Sequence, residues 1–133
     1  MSKYAFVTGG SRGIGRAVCV KLAQMGFCVV INYVSNDEAA QETLRLVQEV
    51  GGSGELLKFD VADTDASVKA ITGWQESHPD NYVEVLVNNA GVRKDNLLLW
   101  LEPEDWFKVV STDLNSFYNV TRPFLQPMVS HRN

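Results

Sequence analysis

No apolar run in the sequence approaches the length of a membrane span, and no block of lysine or arginine occurs. The 12 basic residues are outnumbered by 16 acidic ones, for a net charge of −4. A chain with that balance has no electrostatic footprint for nucleic acid or an anionic membrane. Small molecules, or acidic carriers met locally, are the expected partners. Met1-Ser2-Lys3-Tyr4 leads into an apolar stretch with no leader-like segment, so a cytoplasmic location is the expectation. Cysteine is scarce: Cys19 and Cys28 sit inside apolar patterns, as buried small hydrophobes do, and no disulfide framework is expected. The two histidines, His78 and His131, have no metal-ligand partner at usable spacing, so no metal site is expected. There is no repeat, linker or low-complexity segment.

What is present is an alternation of short apolar runs with helical periodicity, in 133 residues that are 45% hydrophobic. That is enough for one domain with a sizeable core. Strands are expected at Tyr4–Val7, Phe27–Tyr33, Glu55–Phe59 and Val83–Val87. The first helix is expected from Gly13 to Gly26, with Ile14, Ala17, Val18 and Leu22 on its apolar side. The second has Ser35 as N-cap with Glu38 closing a capping box, then Leu44, Val47 and Val50 before Gly51-Gly52. The third starts near Asp63-Thr64, shows Val68, Ile71 and Trp74 on one face, and stops at His78-Pro79. A fourth opens at Glu102-Pro103-Glu104-Asp105 and runs on, bent by Pro123 and Pro127. Strand followed by helix, repeated, argues for an α/β fold: a Rossmann-type doubly wound parallel sheet with right-handed crossovers.

Between the first strand and first helix lies Thr8-Gly9-Gly10-Ser11-Arg12-Gly13-Ile14-Gly15. Strand, glycine turn and helix in that order bring backbone N–H groups and a positive helix end to one point, where a phosphate can sit. The spacing Gly-x-x-x-Gly-x-Gly matches the dinucleotide fingerprint only in part. A tight connection without a ligand has the same appearance. A P-loop is disfavoured, because no Gly-Lys-Ser/Thr follows.

Three further stretches, taken with the glycine turn, resemble the short-chain dehydrogenase/reductase family: Asp60-Val61, Asn88-Asn89-Ala90-Gly91, and the region Leu114–Val120. Within that family, Gly91 to Leu99 followed by Glu104-Asp105-Trp106 is similar to the 3-oxoacyl-[acyl-carrier-protein] reductases and the acetoacetyl-CoA reductases. The resemblance implies a nicotinamide dinucleotide held by Gly9, Gly10, Ser11, Arg12, Gly13, Ile14 and Gly15 in the turn, and by Asn32, Tyr33, Ser35, Asp60, Val61, Asn88, Asn89, Ala90 and Gly91 beyond it. Asp60 would accept from the adenine amine beside the Val61 backbone, or else cap the next helix. Asn88 and Asn89 would bond backbone across the sheet, and Ala90-Gly91 would leave room for the ribose. NAD-preferring relatives carry an acid at the end of the second strand, where Tyr33 stands here between Asn32 and Val34, so nothing at that position repels a 2′-phosphate. Arg12 can reach that phosphate and Ser35 can add a hydrogen bond, which makes NADPH (NADP+) the expected cofactor over NADH.

The family's chemistry belongs to a Ser, a Tyr-x-x-x-Lys pair and an Asn. No Tyr-x-x-x-Lys occurs in this sequence; Tyr118 with Arg122 is the nearest pattern, and it reads as packing. At the family's Asn position stands Asp113, able to accept from a relay water, while Asn115 faces roughly 200° away around the helix. The expectation is therefore an N-terminal cofactor-binding part, cut after the fourth strand–helix unit, with strand order 3-2-1-4 and the catalytic part absent. The implied activity is NADPH-dependent reduction of a 3-oxoacyl thioester, on acyl-carrier protein or CoA, within fatty-acid synthesis by a homo-oligomeric, tetrameric enzyme. A related reductase of a sugar, steroid or small ketone, or a non-catalytic nucleotide-binding module, are the alternatives. Trp100 and Leu97–Leu101 would pack in the core or line an acyl entrance.

Overall fold

A computed structural model describes residues 3–89, 118–125, 127 and 128. The chain runs β1 (Tyr4–Val7), α1 (Gly13–Gln24), β2 (Cys28–Tyr33), α2 (Asp37–Glu49), β3 (Ser53–Lys58), α3 (Thr64–Ser77) and β4 (Val83–Val87). Residues 118–125 are again helical. The four strands are parallel in the order β3-β2-β1-β4, as the sequence suggested.

β1 explains that order. All of its residues are buried, which a strand achieves only with neighbours on both edges and helices on both faces. Its alternating side chains feed two separate cores. Tyr4 and Phe6 join Val30, Phe59, Val61, Ile71, Trp74, Val83, Val120 and Phe124 on the face covered by α3 and the 118–125 helix. Ala5 and Val7 join Val29, Ile31, Cys19, Leu22, Ala23 and Val47 beneath α1 and α2. The first core is built on rings: Phe6 lies 5.0 Å from Phe124 and 6.3 Å from Phe59, centre to centre. Burying a Phe of this kind contributes about 2–3 kcal/mol. The second core uses small and branched residues, so α1 rides close to the sheet.

That division settles the cysteines. Cys19 belongs to the α1–α2 core and Cys28 packs against the other, so the sheet lies between two free thiols. Burial pushes the Cys19 thiol up to about 12, so it stays protonated at neutral pH.

Several local expectations shift. α1 buries Gly15, Cys19, Leu22 and Ala23, while Ile14 is 67% exposed and Ala17 is also exposed. The glycine turn sets the phase of the helix so that Gly15, and not Ile14, meets the turn behind it. In α2 the N-cap is Asn36, whose Oδ1 accepts from the Ala39 N–H at 3.0 Å; Ser35 stands one residue outside. Its buried positions are Ala40, Thr43 and Val47, with Val50 exposed. In α3, which starts where the sequence suggested and is capped by Asp63, Ser67 replaces Val68 on the buried side beside Ile71 and Trp74. Ser67 is accommodated because its hydroxyl donates to the Asp60 carbonyl at 3.3 Å. β3 begins at Ser53, two residues before the expected Glu55, because pairing with β2 starts at Cys28↔Ser53. β4 carries a bulge at Glu84: Tyr4 pairs with Val83 and Ala5 with Val85. Of the expected fourth helix, residues 102–117 lie outside the described residues, as do Trp100 and Leu97–Leu101. Pro123 does lie within helix, and its carbonyl accepts from Gln75 Nε2 at 3.2 Å, which ties this helix to α3.

Two glycines are expected to respond to alanine with opposite signs. A Cβ on Gly15 would run into the Gly9 carbonyl and come within 2.7 Å of Asn89 Nδ2, whereas one on Gly73, inside α3, meets nothing within 4 Å. In urea unfolding, Gly15→Ala should lose about 1–3 kcal/mol through overpacking, and Gly73→Ala should gain about 0.5–1 kcal/mol through helix propensity.

Candidate functional site

The chain winds from β1 through β2 to β3 on one side and then crosses to place β4 on the other side of β1. In an open parallel sheet such a reversal leaves a crevice outside the carboxyl ends of the strands, here between β1 and β4. The segments that follow the strands meet at this end: 8–15 after β1, 33–35 after β2, 59–61 after β3, and Asn88 and Asn89 after β4.

The glycine turn is held in place by two asparagines. Asn32, fully buried at the end of β2, accepts from the Gly9 N–H at 3.3 Å through Oδ1. Its Nδ2 donates to the carbonyls of Leu57 (3.3 Å) and Phe59 (3.1 Å), and its own carbonyl accepts from the Gly10 N–H at 2.9 Å. Asn89 holds the turn from the other flank, donating its N–H to Thr8 Oγ1 at 2.9 Å and its side-chain Nδ2 to the Gly9 carbonyl at 3.1 Å. Gly9 and Gly13 both adopt φ 62°, the left-handed region, which makes the tight turn possible. The Arg16 guanidinium closes the outside, donating to the carbonyls of Ser11 (2.7 Å) and Ala39 (3.0 Å) and to Thr43 Oγ1 (3.0 Å). Arg16 and Thr43 are positioning residues that sequence reasoning missed. Thr43 carried one signal, a polar residue in the buried phase of α2; Arg16 carried none.

What this frame presents is the start of α1. Arg12 occupies the N-cap in extended backbone (φ −164°) and makes no side-chain capping bond, and the first turn holds no acid. α2 and α3 differ: α2 has Asn36 with Asp37 and Glu38, and α3 has Asp63 with Asp65. The positive end of α1 is left uncompensated by its own side chains, at the mouth of the crevice, with Arg12 and Ile14 exposed beside it. A phosphate group fits that donor set.

Around the turn, the candidate residues divide. Asp60 is exposed, and its Oδ1 accepts from the Ala62 N–H at 2.9 Å; the helix cap is Asp63, so Asp60 is not the cap of α3. Val61 is buried, and its carbonyl accepts from Asn119 Nδ2 at 3.0 Å. Among the described residues the Asn88 side chain bonds Thr121, its Nδ2 donating to Oγ1 at 3.0 Å on the 118–125 helix, where a backbone partner across the sheet was expected. Asn32, buried, bonds backbone with both ends of its side chain and supports the turn. Ser35 is exposed, and its carbonyl accepts from the Asp37 N–H at 3.1 Å. Ala90, Gly91 and Asp113 lie outside the described residues. Tyr118 and Arg122 are both exposed and hydrogen-bonded to each other at 3.1 Å.

At the end of β2 the structure revises a sequence argument. The Tyr33 hydroxyl donates to Asp37 Oδ1 at 2.8 Å, and Lys58 Nζ lies 3.2 Å from the same oxygen. An acid therefore stands beside Tyr33 after all, brought there by the first turn of α2. The bond from Tyr33 and then the Lys58 ammonium hold the Asp37 carboxyl below its ordinary range, while donating that bond raises the Tyr33 phenol. A groove of about 730 Å³, between α3 and the 118–125 helix, is lined by Thr64, Trp74, Tyr82 and Arg122 among others and contains neither Tyr33, Asp37 nor Lys58.

A family model described as short chain dehydrogenase matches residues 3–133. The chain is 39% identical over 132 residues to a 3-oxoacyl-[acyl-carrier-protein] reductase FabG of Aggregatibacter actinomycetemcomitans, covering 99% of this chain and 54% of that protein. It is 40% identical over 128 residues to an acetoacetyl-CoA reductase of Rhizobium meliloti strain 1021, covering 96% and 50%. A crystal structure of a metagenomic short-chain oxidoreductase in complex with NADP superposes with a TM-score of 0.83 at 32% identity, covering 96% of this chain and 57% of that one. The chain thus spans about half the length of the curated relatives it matches.

The weight placed on Asn32 is measurable. Asn32→Leu keeps the volume but leaves the Gly9 N–H and the carbonyls of Leu57 and Phe59 without their partner, and should cost about 3 kcal/mol in denaturant unfolding. Ser35→Ala, at an exposed position, should stay within about 0.5 kcal/mol of wild type.

Proposed function

The chain belongs to the short-chain dehydrogenase family, and from that membership we propose that it forms the N-terminal, NADPH-binding part of a single Rossmann-type domain in a 3-oxoacyl-thioester reductase. The reaction would convert the 3-oxo group of an acyl chain, carried on acyl-carrier protein or CoA, into a 3-hydroxy group. The observation that carries this reading is the uncapped start of α1, fixed by Asn32 and Asn89 at the mouth of the crevice between β1 and β4. The thioester substrate rests on the FabG and acetoacetyl-CoA reductase relatives, and the phosphorylated cofactor on the NADP complex among similar structures together with Arg12.

In this reading the N–H groups of Gly13, Ile14 and Gly15 bind the pyrophosphate, whose charge the helix end stabilises without a lysine. The exposed carboxylate of Asp60 has acceptor capacity beyond its bond to Ala62 and takes the adenine amine. Arg12, which makes no capping bond, is free to turn its guanidinium to the 2′-phosphate, and Ser35 can add a hydrogen bond. Ala90 and Gly91 leave room for the ribose, and Asp113 accepts from a water of the proton relay. The cofactor, when bound, supplies the hydride. The part of these residues is to bind and orient it, because the sequence holds no Tyr-x-x-x-Lys pair to deliver the proton.

The test is oxidation of NADPH by the full-length protein with an acetoacetyl thioester, followed at the nicotinamide absorbance. Turnover is expected, and its absence with both carrier-protein and CoA thioesters overturns the substrate assignment. Arg12→Ala should weaken NADPH binding by about tenfold to a hundredfold, the range for charge-assisted hydrogen bonds, and leave NADH binding within about twofold. Equal weakening of both would remove Arg12 from the 2′-phosphate.

A further inference from the structure

We propose that Lys58 is a specificity-determining residue for the phosphorylated ribose, and that Asp37 is the counter-charge that keeps Lys58 at the rim of the site. The inference rests on the NADPH reading above and names a group that reading does not contain.

Tyr33 and Lys58 are paired in register as the last residues of β2 and β3. Residues of β2 and β3 with the same alternation, Ile31 and Leu56, pack toward α1 and α2, so both side chains rise on that face. There the first turn of α2 brings Asp37 between them: Tyr33 donates to it at 2.8 Å, and Lys58 Nζ lies 3.2 Å from Oδ1 and 3.5 Å from Oδ2. The ammonium also stands 6.0 Å from the centre of the Tyr33 ring. A lysine has four flexible carbons and many places to go; here a carboxylate and a ring hold it above the end of β2. That is the place where an acid in NAD-preferring proteins would meet the ribose hydroxyls.

The ion pair is a surface one, with Lys58 half exposed and Asp37 more so. Such pairs are weak and exchange readily. A phosphate on the 2′ position carries close to two charges and three acceptor oxygens, and it would draw the ammonium from Asp37 with little rearrangement. A bare 2′-hydroxyl offers Lys58 no such gain. Asp37 then acts in two opposed ways: it positions Lys58, and it repels the phosphate that Lys58 attracts. Tyr33 moderates the second effect by donating to the same carboxylate oxygen.

The opposed roles give the experiment its signs. Equilibrium binding of NADP+ and NAD+ to the full-length protein, followed by calorimetry, would be compared for wild type, Lys58→Met, Lys58→Arg and Asp37→Asn, with thermal unfolding of each ligand-free variant as a check on folding. Lys58→Met should weaken NADP+ about tenfold or more and NAD+ less than about twofold, and Lys58→Arg should retain most of the affinity. Asp37→Asn should tighten NADP+ several-fold, in a way that added salt suppresses. A wild-type preference for NADP+ that survives Lys58→Met overturns this inference and leaves the NADPH reading intact. A wild type that binds NAD+ as tightly as NADP+ overturns the NADPH reading itself.

Discussion

One buried amide holds the carboxyl end of this sheet together. Asn32 has no exposed surface and spends both ends of its side chain on backbone: the Gly9 N–H from β1's turn, and the carbonyls of Leu57 and Phe59 from β3 and its exit. Parallel strands of this kind end in loops whose polar groups have no ladder partner, and each one left buried costs about 1–3 kcal/mol. A single asparagine, with two donors and an acceptor, bonds three backbone groups at this end and fixes three chain segments relative to one another. Asn89 does the same from the β4 side through Thr8 and Gly9. Apart from the Thr8 hydroxyl, the turn between them is held through its backbone, which is why it can be half glycine and still be held in place.

That rigidity is what allows α1 to begin badly. An uncapped helix start, with no acid in the first turn, forgoes about 1 kcal/mol that a Ser, Asp or Asn at the N-cap would supply. α2 and α3 both take that stabilisation, from Asn36 and Asp63. α1 can go without because Arg16 and Thr43 anchor it to α2, and because Gly10 leaves room for Ile31 and the helix's own Cys19 while Gly15 lets the helix lie against the Gly9 carbonyl. Stability is drawn from the flanks so that donors remain at the tip, and the tip faces the crevice between β1 and β4. A local rule broken where the surroundings compensate for it is the usual mark of a binding site.

The architecture was legible in the sequence for a plain reason: four apolar runs of strand length alternate with helical periodicity, and a parallel sheet requires just that pattern. The start of α3 near Asp63 and its stop at His78 followed from local chemistry. The failures were of phase and of space. Ile14 looks like a core residue because it is apolar and begins a periodic series, but Gly15 is the residue with no side chain to clear, so the helix turns that face inward. Ser35 and Asn36 are equally good caps by type, and only the direction in which the chain leaves β2 decides between them. Asn88 and Asn89 are identical in kind and adjacent, yet the alternation of side chains sends one to the turn and the other to Thr121.

The end of β2 shows the same limit with more consequence. Reading cofactor preference from one position assumes that the charge beside the ribose is the charge of the residue in that place. Tyr33 is neutral, but its hydroxyl reaches Asp37, one helix cap further along, and Asp37 reaches Lys58, which is distant in sequence and adjacent only through strand pairing. The field at that rim is the sum of an acid and an ammonium, so a preference for the phosphorylated cofactor cannot rest on the absence of an acid. It has to rest on where the cations are held. The geometry holds one of them, Lys58, by the acid whose position in the sequence gave no hint of it.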